Sequence, residues 1–266
     1  FGWSRGQASF GYTVISFASA LFGVFWGYIA DKYGTRWFGI VAALAMSLSL
    51  FLLSKQTSIY HFYGFYFLFG AFGNAMVTAP LFANVGFWFR KNPGLALGIT
   101  AAGGAVGQGL IPYYSGVIIE TDGWQAAYYF MAIIYLAIAI PAALFIRESP
   151  WREQARTSLV EEPRDFPLSE KEAITWLCSA VIFCCICMSV PIVHLVPLLT
   201  DTEFSMEFAT SVLMVLMFCG AFGRILGGKL GDMIGALPAY ILMSLGQAIS
   251  VIWFPYITDP MGVYLL

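Results

Sequence analysis

The chain has 266 residues, of which 59% are hydrophobic, 17% aromatic and only 11% charged, with a net charge of −2. A soluble domain of this length needs about a quarter of its residues charged to cover its surface. A slightly acidic chain also lacks the basic field that would attract nucleic acid, so none is expected as a partner.

The apolar residues instead come in runs of about 20, the length that crosses a bilayer. Eight spans follow in chain order: 10–30, 36–54, 59–82, 94–119, 125–146, 172–199, 208–229 and 237–257. The fold class is therefore an all-α, polytopic, multi-pass membrane protein, with the lipid bilayer as its solvent. Placing the 31–36 loop inside puts ten Lys and Arg on inner loops and only Arg5 and Lys55 on outer ones. That asymmetry fixes the orientation. The long connection 147–171 carries alternating charges and Pro150, Pro163 and Pro167. It reads as a cytoplasmic linker between a first group of spans (1–146) and a second (172–266). Ser169 followed by Glu172 reads as a capping box opening the sixth span. All five cysteines fall inside spans, which speaks against a disulfide framework or a zinc site. The chain starts at Phe1 and stops at Leu266 after an outer loop, as a piece of a longer protein would.

The sequence also repeats itself. Gly27-Tyr-Ile-Ala-Asp31-Lys-Tyr-Gly34 matches Gly228-Lys-Leu-Gly-Asp232-Met-Ile-Gly235, 201 residues on (31 to 232). Both copies end an outward-to-inward span, so two halves related by an axis along the membrane normal are expected. Eight residues before the aspartate one copy has Gly23 and the other Arg224. Helical rise puts Arg224 about 12 Å inside the apolar layer, where a cation costs about 3 kcal/mol or more. A guanidinium offers a planar fork suited to a carboxylate. Arg224 is thus either an anion-binding group or a structural arginine that pairs with a backbone carbonyl or snorkels inward.

Gly27-x-x-x-Asp31-Lys-x-Gly34-x-Arg36 resembles the loop signature of the major facilitator superfamily, the large group of twelve-helix secondary transporters. Phe1-Gly-Trp-Ser-Arg5, Gly86-Phe-Trp-Phe-Arg-Lys-Asn-Pro-Gly-Leu-Ala96, Val193-His-Leu-Val-Pro-Leu-Leu-Thr-Asp201 and Gly223-Arg224-Ile-Leu-Gly-Gly resemble the bacterial monocarboxylate and oxalate/formate branch. The resemblance implies an incomplete major facilitator fold, about eight of twelve helices, corresponding to the family's helices two to nine. It implies that Arg224 matches the arginine holding the substrate carboxylate. It also implies gating roles for the paired loops: Gly27, Asp31, Lys32, Gly34 and Arg36 in one half, and Gly228, Asp232 and Gly235 in the other. By pseudo-symmetry Asp232 should meet the start of the span near Pro93 and Gly94, at a helix N-terminus that favours a carboxylate. Where animal monocarboxylate carriers have an Asp one turn before the arginine, this chain has Gly220.

Other candidates come from the spans. Asn74 and Thr78 share a helix face in the span matching the family's cavity-lining fourth helix. Substrate contact and interhelical hydrogen bonding are both open to them. The glycine-dense 94–119 span, with Gly103-x-x-x-Gly107, offers a flat face for close helix approach. Gln108 borders that face and Tyr113 lies just beyond it. His194 sits between Pro191 and Pro197 and can bind an anion, take a proton, or serve only as an interfacial or interhelical group. The two prolines free backbone carbonyls and suit a hinge.

The function expected is secondary active transport of a small organic anion, a mono- or dicarboxylate, by alternating access in the plasma (inner) membrane. Either proton symport or anion antiport would drive it, and a monomer is expected. A drug, sugar or peptide carrier, or a non-transporting receptor, are the rivals. A membrane enzyme would need His, Ser or acidic residues clustered at depth, and the spans hold no such cluster. No Gly-x-x-x-x-Gly-Lys-Ser/Thr loop is present, so neither ATP nor any other cofactor, nor a metal, is expected.

Overall fold

A computed structural model describes residues 2–152, 169–201 and 204–253. Among them the chain forms eight helical rods. They are α1 Arg5–Tyr33, α2 Phe38–Ser54, α3 Ile59–Leu68 running on through a wide turn into α4 Ala75–Trp88, α5 Pro93–Asp122, α6 Trp124–Leu144, α7 Glu170–Asp201, α8 Met206–Ile234 and α9 Ala236–Trp253. The rods sit on the eight expected spans. The last expected residues, 254–257, lie outside the described set. Five rods are long and apolar enough to cross a membrane by length and composition: α1, α3 with α4, α5, α6 and α8.

Local chemistry sets the rod ends. Ser4 and Gln7 form a capping box on α1, with Gln7 N–H donating to Ser4 Oγ at 3.2 Å and Ser4 N–H to Gln7 Oε1 at 2.9 Å. Ser205 caps α8 by accepting from Phe208 N–H at 3.1 Å. The capping box expected at Ser169 is present, its N–H donating to Glu172 Oε2 at 3.0 Å and Glu172 N–H returning to Ser169 Oγ at 3.4 Å. α1 and α8 both stop at a glycine with positive φ, Gly34 at 89° and Gly235 at 94°. Only glycine adopts that conformation freely, so the last residue of each sequence repeat is a helix terminator.

The chain divides into two compact units. One comprises residues 1–90 and 114–152, the other 91–113 and 153–266, so α5 contributes to both. The first six residues of the 147–171 connection belong to the first unit. Within it, α2 packs along α6 on small residues. Ser47 Oγ donates to Ala132 O at 2.9 Å, and Gly39 abuts Ala143 and Ile146. Within the second unit, Val212, Leu213 and Met217 of α8 pack on Leu195 and Leu199 of α7. Another face of α8 sets Ala221 against Ala102 and Ala105 of α5.

Candidate functional site

Arg224 lies in the second half of α8, half-buried, and its Nη1 donates to the backbone carbonyl of Ala101 on α5 at 2.8 Å. The guanidinium therefore has the backbone partner of a structural arginine. It carries five N–H donors and no acceptor, and one is spent. Among the described residues no carboxylate comes within 4.0 Å of it. What brings it to α5 is the absence of side chains. A Cβ on Gly98 would stand 2.5 Å from the Arg224 carbonyl oxygen, and one on Gly94 would stand 2.5 Å from that of Gly228. A Cβ on Gly228 would collide with the Gly94 carbonyl. The helices cross at backbone contact.

The close approach was expected at Gly103-x-x-x-Gly107, and there the structure differs. Among the described residues nothing lies within 4 Å of where a Cβ on Gly103, Gly104 or Gly107 would stand, whereas Gly94, Gly98 and Gly109 face α8. The contact face follows the small residues of α8, not the densest glycine run of α5.

One turn beyond Gly228, Asp232 closes the crossing. Its Oδ1 accepts from Gly94 N–H at 2.8 Å and its Oδ2 from Leu95 N–H at 2.7 Å. These are free donors of the first turn of α5, which begins at Pro93. A carboxylate there gains from charge-assisted hydrogen bonds and from the helix dipole. The approach expected from the repeat is thus present in the second unit.

The matching loop in the first unit is built differently. Arg152 donates from Nη2 to Ala30 O, next to the end of α1. The same group stands 3.7 Å from Asp31 Oδ1, and Nη1 stands 3.5 Å from Glu148 Oε1. Glu148 Oε1 accepts in turn from Thr35 N–H at 2.6 Å and fills the space a side chain on Gly34 would need. Asn84 of α4 pins the strap, donating to Arg147 O at 2.9 Å and accepting from Ser149 N–H at 3.1 Å. Gly27, Asp31, Thr35, Asn84 and Arg152 line a cleft of about 200 Å³. Where Gly228 is filled by Gly94, nothing described comes within 4 Å of a Cβ on Gly27. Glu148 and Arg152 are charges of the 147–171 connection. Their i,i+4 spacing was the available signal.

The remaining candidates scatter. Asn74, in the first unit, ends the wide turn and donates from Nδ2 to Ser19 Oγ at 3.0 Å, while Thr78 is exposed and donates to Asn74 O at 2.8 Å. Gln108 is exposed and Tyr113 half-buried, both on the part of α5 that belongs to the second unit with Arg224. His194 is exposed on α7 and makes no hydrogen bond among the described residues. α7 runs on through Pro191 and Pro197, and Thr200 Oγ1 donates to the carbonyls of Val196 at 3.1 Å and Pro197 at 3.0 Å. Lys32 and Arg36 are exposed and lie over the rings of Tyr33 and Trp37. The structure brings together Arg224, Gly228 and Asp232 with the start of α5, and Gly27, Asp31 and Gly34 with Arg152.

Comparison with known proteins agrees with this architecture. The chain is 26% identical over 235 residues to an MFS-type transporter of Gibberella moniliformis, covering 88% of this chain and 56% of the relative. It is 27% identical over 233 residues to the fujikurins efflux protein of Gibberella fujikuroi, covering 86% and 49%. It is 31% identical over 140 residues to the riboflavin transporter RibJ of Trypanosoma brucei brucei, covering 52% and 26%. The chain spans about half the length of the first two of these relatives or less of the third. The family model of the Major Facilitator Superfamily matches residues 1–266, so the chain belongs to that superfamily.

Proposed function

We propose that the full-length protein carrying this chain is a secondary transporter, not an enzyme, that moves a small organic anion across the plasma membrane by alternating access. A mono- or dicarboxylate is the cargo class. The observation that carries this reading is Arg224: a cation about 12 Å inside an apolar helix, with no acid partner among the described residues and only one donor spent on Ala101 O. A carboxylate accepts two parallel N–H bonds from such a fork. Asp232 on the N-terminus of α5 is the inner gate in this reading. Its bonds to Gly94 and Leu95 hold the cytoplasmic ends of α5 and α8 together, and their rupture opens the inner side. Asp31 and its open cleft are the counterpart in the other half, with Gly27 and Gly34 shaping the turn. Proton symport and anion exchange both fit this chemistry.

A second reading keeps the carrier and changes the cargo. It is favoured by the relatives, whose names record riboflavin transport and fujikurin efflux, and by the backbone bond of Arg224. The test is uptake by the intact protein in proteoliposomes of radiolabelled lactate and oxalate, each beside its neutral amide, with riboflavin as a third arm. Uptake of the acids and not of their amides, stimulated by an inward proton gradient or by internal anion, supports the anion reading. Equal handling of acid and amide, or uptake of riboflavin alone, overturns it.

A further inference from the structure

The span from Ile59 to Trp88 is not wound uniformly. Between α3 and α4 the residues Phe69–Asn74 form a wide turn in which Ala75 N–H reaches back five residues to Gly70 O. Such winding spends an extra residue on one turn and leaves carbonyls poorly served by the helix itself. Side chains of α1 bond two carbonyls of the turn. Trp26 Nε1 donates to Ala71 O at 2.7 Å, and Ser19 Oγ donates to Gly70 O at 3.3 Å. Ser19 Oγ also accepts from Asn74 Nδ2 at 3.0 Å, and Asn74 O receives Thr78 Oγ1. The turn is gripped from both sides. A Cβ on Gly70 would stand 2.6 Å from Ile15 O, and one on Gly73 would run into the side chain of Met46 on α2.

From this geometry we infer that Trp26 and Ser19 are positioning residues for the Asn74–Thr78 face of α4. Their bonds hold the wide turn, and the wide turn sets the rotation of everything after it. Rewound as ordinary α-helix, the turn would rotate α4 by about 100°, one residue's worth. Val77, half-buried now, would take the place of exposed Thr78. The cargo part of the inference rests on the transport reading above, but the winding does not.

The test uses the full-length protein in membranes, with all native cysteines replaced, carrying Val77→Cys or Thr78→Cys. Each is paired with native Trp26, with Trp26→Phe, which keeps a ring against Phe25, Phe38 and Phe72, or with Ser19→Ala. Maleimide labelling is expected to be faster at 78 with Trp26 present and to move to 77 when its N–H is removed. Deletion of Phe72 takes one residue out of the turn. It is expected to keep the maximum on the Thr78 position and to make Trp26→Phe silent. Labelling that stays at 78 in Trp26→Phe and Ser19→Ala, or that falls evenly at both positions, overturns the inference. Radiolabelled lactate uptake on the same variants separates the two readings. A moved pattern with raised KM and unchanged turnover supports both. A moved pattern with unchanged KM supports the positioning role and overturns Asn74 and Thr78 as cargo contacts.

Discussion

Asp232→Asn is the sharpest perturbation of the proposed inner gate. The native carboxylate accepts two backbone hydrogen bonds, at 2.8 Å from Gly94 and 2.7 Å from Leu95. Hydrogen bonds to a charged group contribute about 1.5–3 kcal/mol each, and the charge at a helix N-terminus adds about 0.3–1 kcal/mol. The amide keeps one acceptor, turns an NH₂ toward the other donor and removes the charge. Because Asp232 is exposed, solvent screens the loss toward the low end, about 1.5–2.5 kcal/mol. At about 1.4 kcal/mol per tenfold, the closed arrangement of α5 and α8 should lose roughly ten- to seventyfold in its equilibrium. Spin labels replacing the exposed Lys91 and Lys229 report it as a distance distribution in the full-length protein in lipid. A single short population is expected for the native residue, and a second, longer one for Asp232→Asn and more so for Asp232→Ala. Identical distributions in all three would refute the gate.

Three further outcomes follow from the same contacts. Gly228→Ala and Gly98→Ala should each lose about 1–3 kcal/mol by overpacking a backbone crossing, seen as a lowered thermal midpoint of the intact protein. Gly103→Ala and Gly104→Ala, with open space around the built Cβ, should stay within about 0.5 kcal/mol. Asn84→Ala should orphan Ser149 N–H while Trp88 Nε1 still serves Arg147 O. The expected loss is about 1–3 kcal/mol, read as faster proteolysis near 147–152. Gly34→Ala puts a side chain into the left-handed region and against Glu148, so it should cost more than Gly27→Ala, whose Cβ meets nothing among the described residues. Equal thermal midpoints would contradict that ordering.

The rods were legible because each carries an apolar run of bilayer length, a signal that does not depend on packing. Asp232 on α5 was legible through the resemblance of its motif to the family's paired loops, although the contact is not repeated at Asp31, which faces Arg152 instead. The wide turn at Phe69–Asn74 was not. Hydropathy is blind to a change from four to five residues per hydrogen bond, and Gly70 and Gly73 alone do not announce it. Nor could glycine density choose the crossing face of α5. That choice belongs to Ala221, Arg224 and Gly228 on α8, a tertiary fact. Asn74 is a polar residue inside a span, but whether its amide goes to cargo or to Ser19 depends on a neighbour 55 residues away. Glu148 and Arg152 lie in a charged connection, and two of their partners, Thr35 N–H and Ala30 O, are backbone groups that no side-chain pattern reveals.

Anion capture by the α8 guanidinium is tested most directly by Arg224→Lys in the full-length protein, with membrane insertion checked and radiolabelled lactate and oxalate as probes. Lysine keeps the charge and loses the two-pronged fork. Uptake of both acids should collapse while the protein inserts and packs normally. Uptake at the native rate and native KM would show that the bond to Ala101 is the whole of Arg224's work.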